Sequence, residues 1–238
     1  MRYTNKQKGF SLIEMAIVLV IVGLVLSALL LPLRAQRDSA ALAETNATLE
    51  IAKKALLGFA QGQGRLPCPA VTSGTESPLG GGICTQQVGF LPAATLGIQP
   101  TDAQGFVIDA WNNRIRYAVT TANANAFVTS NGVSNLGIAV LAPDLRVCST
   151  STPASCTVAI NLINNAVVVV YSTGATSALG SAGKADETEN LNAVGNIDIV
   201  FVSHEARAND LNGEFDHIVT WVSPYVLYNA MIEAGQLH

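Results

Sequence analysis

The sequence predicts an α+β fold, in which a long N-terminal α-helix precedes a globular head with an antiparallel β-sheet. Three features predict it: an apolar block from Phe10 to Leu33, an amphipathic pattern over residues 34–61, and short apolar runs separated by Gly, Pro, Asn and Ser from Arg65 on. Charged residues make up 13% of the 238 residues, and the formal net charge is −4. Average soluble domains carry roughly 25% charged residues. The composition argues against disorder and against a dedicated nucleic-acid surface.

The apolar block is long enough to cross a membrane. As a helix, residues 10–33 would span roughly 36 Å, against about 30 Å for a bilayer core. Arg2, Lys6 and Lys8 precede the block, and the positive-inside rule keeps such a flank in the cytoplasm. A cleaved secretory signal fits poorly, because the run ends in Leu-Pro-Leu-Arg instead of a small-x-small site. A plain anchor leaves Glu14 unexplained, because a central acid costs about 2.5–3.5 kcal/mol on insertion scales.

The stretch Gly9-Phe10-Ser11-Leu12-Ile13-Glu14 resembles the prepilin processing motif of type IV pilins and of the pseudopilins of type II secretion. The resemblance implies that a membrane prepilin peptidase cleaves between Gly9 and Phe10 and methylates the new amino terminus. The apolar segment would then stay on the protein. The chain would consist of a leader (1–9), a long helix (10–62) with a transmembrane segment (10–33), and a globular pilin head (65–238).

Glu14 is the candidate assembly residue. It lies one helical turn from Phe10 on the same face. In a filament its carboxylate could pair with the Phe10 amine of another subunit and so set the register between subunits, because an unpartnered buried charge costs several kcal/mol. The alternative is that Glu14 only favours the positive end of the helix dipole, and both effects can hold together.

Local patterns predict the remaining elements. The amphipathic stretch ends at Gly62 and Gly64, and Pro32 predicts a kink. Its apolar stripe comprises Leu42, Leu49, Ala52, Leu56 and Phe59. The runs RIRYAVTT and HIVTWVS alternate, as strands with one solvated face do, and Pro224 predicts the first turn of a C-terminal helix. The predicted strands are Arg114–Thr120, Ile138–Leu141, Leu145–Cys148, Thr157–Ile160, Val167–Tyr171, Ile197–Val202 and Ile218–Val222.

The segment DAWNNRIRYAV, residues 109–119, resembles the Asp-x-Trp-x-Asn…Tyr turn and strand of pseudopilin heads. A tight turn at Asn112-Asn113 fits, because Asn tolerates positive φ. The segments LPCP at 66–69 and GFLPAATLG at 89–97 resemble elements of some bacterial pilin-like proteins. An ordinary core role explains Trp111 and Tyr117 more simply.

Four cysteines, Cys68, Cys84, Cys148 and Cys156, follow the apolar block. If this region is translocated, the compartment is oxidising and disulfides are expected. Four cysteines allow three connectivities, and we expect the pairs that are close in sequence, Cys68–Cys84 and Cys148–Cys156. Zinc is the rival explanation, but C-x₂-C spacing does not occur and the histidines are remote in sequence.

The head contains two further candidate sites, a calcium-binding loop and a catalytic triad. Some major pseudopilins hold calcium in a loop before the final strand, and the resemblance places Asp210 and Asp216 there, together with Asn212 and Glu214. A solvated acidic turn explains these residues equally well. Ser203-His204-Glu205 suggests a catalytic triad, but consecutive strand residues point to opposite faces. We therefore expect no enzyme activity and no required cofactor, with calcium as an option.

The family resemblance implies a structural subunit of a type IV pilus-like filament, and the unusual head favours a minor pilin. The expected partners are other pilin subunits, the prepilin peptidase, an inner-membrane assembly platform and membrane lipid before assembly, without nucleic acid. The expected location is the bacterial inner membrane, with the head in the periplasm, and then the filament. The alternatives are a pseudopilin of a type II secretion system and, from another class, a membrane-anchored extracytoplasmic binding protein or hydrolase.

Overall fold

The structure, a computed structural model, describes residues 11–151, 156, 160–177, 184–191, 199–207 and 213–237, without the side chains of residues 26–35. Its contacts divide the chain into two compact units, Met1–Ala43 and Glu44–His238. The elements in chain order are α1 (Leu12–Gln63), β1 (Val88–Phe90), α2 (Ala93–Leu96), β2 (Arg116–Val119), α3 (Ala122–Asn125), α4 (Gly132–Leu136), β3 (Leu145–Cys148), β4 (Asn161–Ala166), β5 (Val168–Ser172), α5 (Ala185–Leu191), β6 (Val200–Val202), β7 (Ile218–Val222) and α6 (Pro224–Glu233).

The first sheet has the strand order β1-β2-β5-β7, and every neighbouring pair is antiparallel. The α+β fold with a long N-terminal helix and an antiparallel sheet is therefore confirmed. A second sheet, which the sequence did not predict, has the order β4-β3-β6. In it β3 pairs antiparallel with β4 and parallel with β6.

The central strands of the first sheet, β2 and β5, are buried on both faces. One hydrophobic cluster joins Tyr117 and Val170 of this sheet to Leu56 of α1 and Leu227 of α6. A second cluster joins alternate sheet residues to the second sheet, and its members include Ala118, Val169, Tyr171, Leu145, Val147 and Phe201. All five residues of β5 are buried. The prediction that RIRYAVTT forms a strand with one solvated face is thus wrong for β2, because the second sheet covers the other face.

The buried stripe of α1 differs from the predicted one at both ends. Leu49, Ala52, Leu56 and Ala60 are almost completely buried. These positions follow the three- and four-residue spacing of one helix face. Leu42 is 39% exposed and Phe59 is only half-buried, so both lie off the stripe. The assigned helix continues through Pro32 to Gln63.

The strand predictions differ from the structure at specific positions. Residues 138–141 form a turn and irregular chain instead of a strand, and residues 157–159 lie outside the described part. The strand after them, β4, was missed because three of the six residues of NLINNA are asparagines. Its exposed residues are Leu162 and Asn164, and Ala166 is buried. In β1 the central residue is Gly89, where a Cβ would lie 2.7 Å from the Ala70 carbonyl oxygen. By contrast, β3, β7 and the Pro224 start of α6 match the prediction.

Candidate functional site

The N-terminal end of α1 carries the predicted assembly residue Glu14. The Ser11 backbone N–H donates to Glu14 Oε2 at 2.9 Å. This contact is the glutamate half of a capping box, in which the acid at the third helical position satisfies the N–H of the capping residue. The Ser-x-x-Glu spacing is visible in the sequence. The structure therefore supports the helix-end role of Glu14, and its pairing with another subunit stays a prediction. Gly9 and Phe10, the predicted processing residues, lie outside the described part.

The first turns of α1, about four in number, expose their apolar side chains. From Leu12 to Val25 the exposed fraction of the large apolar side chains ranges from 46% at Val22 to 89% at Leu12. A contiguous apolar surface of this kind marks contact with a membrane or with another protein.

Among the described residues, the structure contains no helix with the length and apolarity needed to cross a membrane. The predicted transmembrane segment is 10–33. The structure does not describe Phe10 or the side chains of residues 26–33 in this segment. The transmembrane assignment stays a prediction.

The chain after α1 forms a loop closed by a disulfide and by a buried ion pair. Cys68 is bonded to Cys84, with their Cα atoms 5.3 Å apart. Arg65 Nη1 and Nη2 donate to the two carboxylate oxygens of Glu76 at 2.8 and 2.7 Å, and both side chains are at least 94% buried. The Gly80 and Cys68 amides also donate to Glu76. This pair was not predicted from the sequence, because the two residues are eleven positions apart and form no known motif.

The pKa of Glu76 reflects these contacts. Burial raises the pKa of its carboxyl, but hydrogen bonds from Arg65, Gly80 and Cys68, together with the Arg65 charge, outweigh burial. The net pKa lies below the usual 4.5. Glu76 is therefore charged at neutral pH and holds the loop by a bidentate, charge-assisted contact.

The DAWNN turn connects α1 with the end of β5. Asp109 Oδ1 accepts hydrogen bonds from the Trp111 and Asn113 amides, and Asn112 has a positive φ of 66°. The Ser172 hydroxyl donates to Asp109, and the Ala110 amide donates to the hydroxyl of Thr45 in α1 at 3.3 Å. The tight turn at Asn112-Asn113 is confirmed. The Asp109 carboxylate binds backbone amides of this turn, which is a structural role.

Tyr117, the last residue of this motif, is fully buried, and its hydroxyl donates to the Pro67 carbonyl at 2.8 Å. Burial raises the pKa of Tyr117 well above 10.0. The phenol is therefore neutral at physiological pH. It ties β2 to the segment beside the Cys68–Cys84 disulfide.

The second disulfide joins Cys148 and Cys156, with their Cα atoms 5.8 Å apart. Both disulfides in the structure thus follow the pairing expected from sequence proximity. Beside this disulfide, Asp186 of α5 accepts a hydrogen bond from the Ser151 amide at 2.7 Å. Its other carboxylate oxygen lies 3.2 Å from His204 Nε2.

His204 is the central residue of the candidate triad Ser203-His204-Glu205. Its ring stacks on Phe215 with the centroids 3.9 Å apart, and its Nδ1 lies 2.8 Å from the Glu205 carbonyl oxygen. The structure thus gives each ring nitrogen a partner other than the Ser203 hydroxyl. These contacts connect α5, β6 and the segment before β7, which is a structural arrangement.

The residues before β7 include the predicted calcium ligands Asp210 and Asp216. Asp210 and Asn212 lie outside the described part. Candidate ligand atoms of Asp216, Glu187 and His217 lie within 4.8 Å of one another. Glu187 and His217, which the sequence analysis did not select, are 2% and 5% exposed. Asp216 Oδ2 accepts from the Thr176 amide at 2.7 Å, and its Oδ1 has no hydrogen-bond partner among the described residues.

His217 does not suit a metal. Asn190 is held in one orientation, because its Oδ1 accepts from the Val202 amide and its Nδ2 donates to the Val202 carbonyl. The same Nδ2 lies 3.2 Å from His217 Nδ1. Since an amide nitrogen only donates, Nδ1 accepts and the neutral ring carries its proton on Nε2. Neither ring nitrogen then offers a free lone pair. Burial lowers the pKa of His217 to about 4, so the ring is neutral at pH 7.

Residues 4–30 match the family model of the prokaryotic N-terminal methylation motif. No curated protein and no solved structure matches the chain. The matched residues contain the junction of Gly9 and Phe10, as well as Glu14 and most of the apolar block.

Proposed function

Because residues 4–30 carry the prokaryotic N-terminal methylation motif, the chain is consistent with a type IV pilin-like or pseudopilin precursor, and we propose that it is a minor pilin. In this proposal the prepilin peptidase cleaves after Gly9 and methylates the amine of Phe10. The mature protein then leaves the membrane and enters a type IV pilus-like filament through its apolar helix. The methylation motif is the observation that carries the proposal.

The apolar surface of α1 supports a role in assembly. Residues 12–25 present large side chains that their own unit does not cover. Lipid before assembly and the helices of other subunits after assembly would both remove this surface from water. At about 25 cal/mol per Å² of apolar area, such burial is the main favourable contribution to association. The filament would therefore supply the core that residues 12–25 lack.

Glu14 would give this assembly its register. Its carboxylate can serve two partners at different times: the Ser11 amide of its own chain, and the methylated amine of Phe10 in a neighbouring subunit. A cationic amine buried among apolar helices needs a counter-charge, and Glu14 is the only acid between residues 10 and 37. The capping contact holds the carboxylate near the helix terminus, where that amine would lie.

The head would act as a structural module without enzyme activity. The contacts of Asp109, His204 and His217 are all with neighbouring backbone or side chains that stabilise the fold. The remaining partners in this proposal are the inner-membrane assembly platform and other pilins. The location is the inner membrane, with the head in the periplasm, and then the pilus. A pseudopilin of a type II secretion system would use the same motif and the same helix.

Filament incorporation of Glu14 variants tests the proposal. Glu14→Gln keeps an acceptor for the Ser11 amide, since Gln serves in capping boxes, but it removes the charge. Glu14→Ala removes both. We expect Glu14→Ala to lower the ratio of subunit in sheared filaments to subunit in membranes most strongly, with Glu14→Gln intermediate at best. Glu44→Gln, at an exposed position of α1, is the matched control and should behave like the wild type.

The outcomes separate the alternatives. If Glu14→Gln enters filaments like the wild type while Glu14→Ala does not, Glu14 acts as a cap and the intersubunit pair is wrong. If the wild-type protein is processed by the peptidase but never found in sheared pili, the pseudopilin alternative gains support. A membrane-anchored binding protein or hydrolase would be unaffected by loss of the prepilin peptidase.

A further inference from the structure

The calcium site that the family resemblance implies is at odds with the residues that surround Asp216. A calcium ion takes six to eight oxygen ligands, mostly from carboxylates and carbonyls. Among the described residues, the carboxylates available here are those of Asp216, Glu187 and Glu214. Two of these three already have a cation of the protein's own, the ammonium group of Lys184.

In the described part of the chain, Lys184 Nζ makes three polar contacts. It lies 3.3 Å from Glu187 Oε2, 3.1 Å from Glu214 Oε2 and 2.9 Å from the hydroxyl of Thr176. An ammonium group has three N–H donors, so these acceptors use all of them. The Lys184 side chain is 13% exposed and that of Glu187 is 3% exposed. The contact between Lys184 and Glu187 is therefore largely shielded from solvent ions, whereas the Glu214 side chain is 37% exposed.

The charge states agree with this arrangement. Burial lowers the pKa of Lys184, but its hydrogen bonds to Glu214 and Glu187 and their charges outweigh burial and raise it above the usual 10.5. Lys184 is thus positively charged at neutral pH. Burial raises the pKa of Glu187 above 4.5, and the nearby Asp216 charge adds to this rise. The Asp216 amide and Lys184 act in the opposite direction by stabilising the Glu187 carboxylate.

The third carboxylate, that of Asp216, packs against Gly174. A Cβ at Gly174 would lie 2.3 Å from Asp216 Oδ1, and the Gly174 φ of +68° is unfavourable for other residues. Asp216 Oδ2 is held by the Thr176 amide, which belongs to the same turn. The carboxylate thus fixes the turn after β5 at close range, and it does so through backbone contacts.

We propose that Lys184 replaces a metal ion as the counter-charge of this acidic cluster, so that the head folds without a divalent cation. Its ammonium joins three segments: the turn after β5 through Thr176, helix α5 through Glu187, and the chain before β7 through Glu214. A divalent ion placed at Glu187 and Glu214 would have to displace the ammonium. Lys184 thus does for these segments what a bound calcium does in a metal-dependent loop.

The test uses the purified full-length protein in detergent, with thermal unfolding followed by tryptophan fluorescence. Both tryptophans, Trp111 and Trp221, lie in the head and report on its unfolding. We expect the wild-type midpoint to be the same in EDTA and in millimolar CaCl₂ or ZnCl₂. Lys184→Met should lower the midpoint by about 5 °C or more in EDTA, because Glu187 is then left buried without its counter-charge. Lys53→Met, which breaks the exposed pair with Glu50, is the matched control and should change it by less than about 2 °C.

A double variant separates charge from packing. Lys184→Met combined with Glu187→Gln should be more stable than Lys184→Met alone, because the buried carboxylate is then neutral. If the fall in midpoint of the double variant equals the sum of the falls in Lys184→Met and in Glu187→Gln, Lys184 contributes packing alone and the proposal is wrong. A wild-type midpoint that falls in EDTA and returns with CaCl₂ or ZnCl₂ would overturn it as well. Neither result would bear on processing at Gly9, so the proposed function is tested separately.

Discussion

Two regions of the molecule use the same apolar residue types in opposite ways. In residues 12–25 of α1, Val, Ile and Leu are about half to nine-tenths exposed. In the unit 44–238, Val167, Val168 and Val170 are completely buried in the cluster that includes α1, and Val169 is completely buried in the cluster that includes the second sheet. Composition cannot explain this difference, since both runs are rich in β-branched residues. The difference is that the side chains of β5 are covered by other parts of their own unit, whereas the apolar side chains of residues 12–25 are exposed.

The comparison implies that the two regions depend on different conditions. The unit 44–238 has its own core, two disulfides and a buried ion pair, and we expect it to resist unfolding without a partner. Residues 12–25 leave their apolar side chains exposed, and in the function that we propose lipid or other chains cover them. Variants in the head should therefore change stability and leave N-terminal processing unchanged. Variants in the methylation motif should change N-terminal processing and leave the stability of the head unchanged.

Breaking the buried ion pair of the head should give the largest loss of stability. Glu76→Gln leaves Arg65 buried without a counter-charge, so the free energy of unfolding should fall by about 3–5 kcal/mol. Glu50→Gln, in the exposed pair with Lys53, should cost less than about 1 kcal/mol. Denaturant unfolding followed by tryptophan fluorescence measures both. Equal losses in the two variants would show that the Arg65–Glu76 pair contributes no more than a surface pair. Cleavage after Gly9 should proceed in both.

The two disulfides should differ slightly in how much they add to the free energy of unfolding of the head. The Cys68–Cys84 bond closes a 16-residue separation and the Cys148–Cys156 bond one of 8. In the chain-entropy model they contribute about 3 and about 2.5 kcal/mol. We therefore expect the double serine variant at Cys68 and Cys84 to be less stable than the one at Cys148 and Cys156. Unfolding midpoints of the two variants in urea would decide this, and the reverse order would show that loop length is not the controlling factor.

Acid should weaken the head through His217. In the folded protein its pKa is about 4, below the usual 6.5, because the ring is buried and Lys184 and Arg116 add positive charge, while Asp216 acts in the opposite direction. Between these two values the unfolded chain binds a proton that the folded chain does not, so stability falls as the pH falls below about 6.5. The loss should reach about 2 kcal/mol between pH 7 and pH 5.

The variant His217→Gln isolates this effect. Glutamine keeps an acceptor for Asn190 and does not titrate, so the decline between pH 7 and pH 5 should be smaller by about 2 kcal/mol in the variant. Unfolding free energies measured at several pH values provide the comparison. Parallel curves for the two proteins would contradict the role assigned to His217.

The sequence predicted features that depend on neighbours along the chain. The long helix, β3, β7, the Pro224 start of α6 and the Asn112 turn all follow from local pattern. The methylation motif was visible for the same reason, because its residues are consecutive. Features made by distant segments were missed. These features depend on how the chain folds back: the Arg65–Glu76 pair, the Lys184–Glu214 pair and the parallel pairing of β3 with β6. The strand β4 was missed because of its asparagines.

The molecular mass of the mature protein tests the central claim most directly. Cells with and without the prepilin peptidase would supply the full chain for intact-mass analysis and N-terminal peptide mapping. We predict that peptidase-competent cells yield a protein that begins at Phe10 with a methylated amine. Loss of the three basic residues of the leader would take the formal net charge from −4 to −7. Without the peptidase, residues 1–9 should remain. A chain that keeps residues 1–9 in peptidase-competent cells would contradict the assignment as a pilin-like precursor.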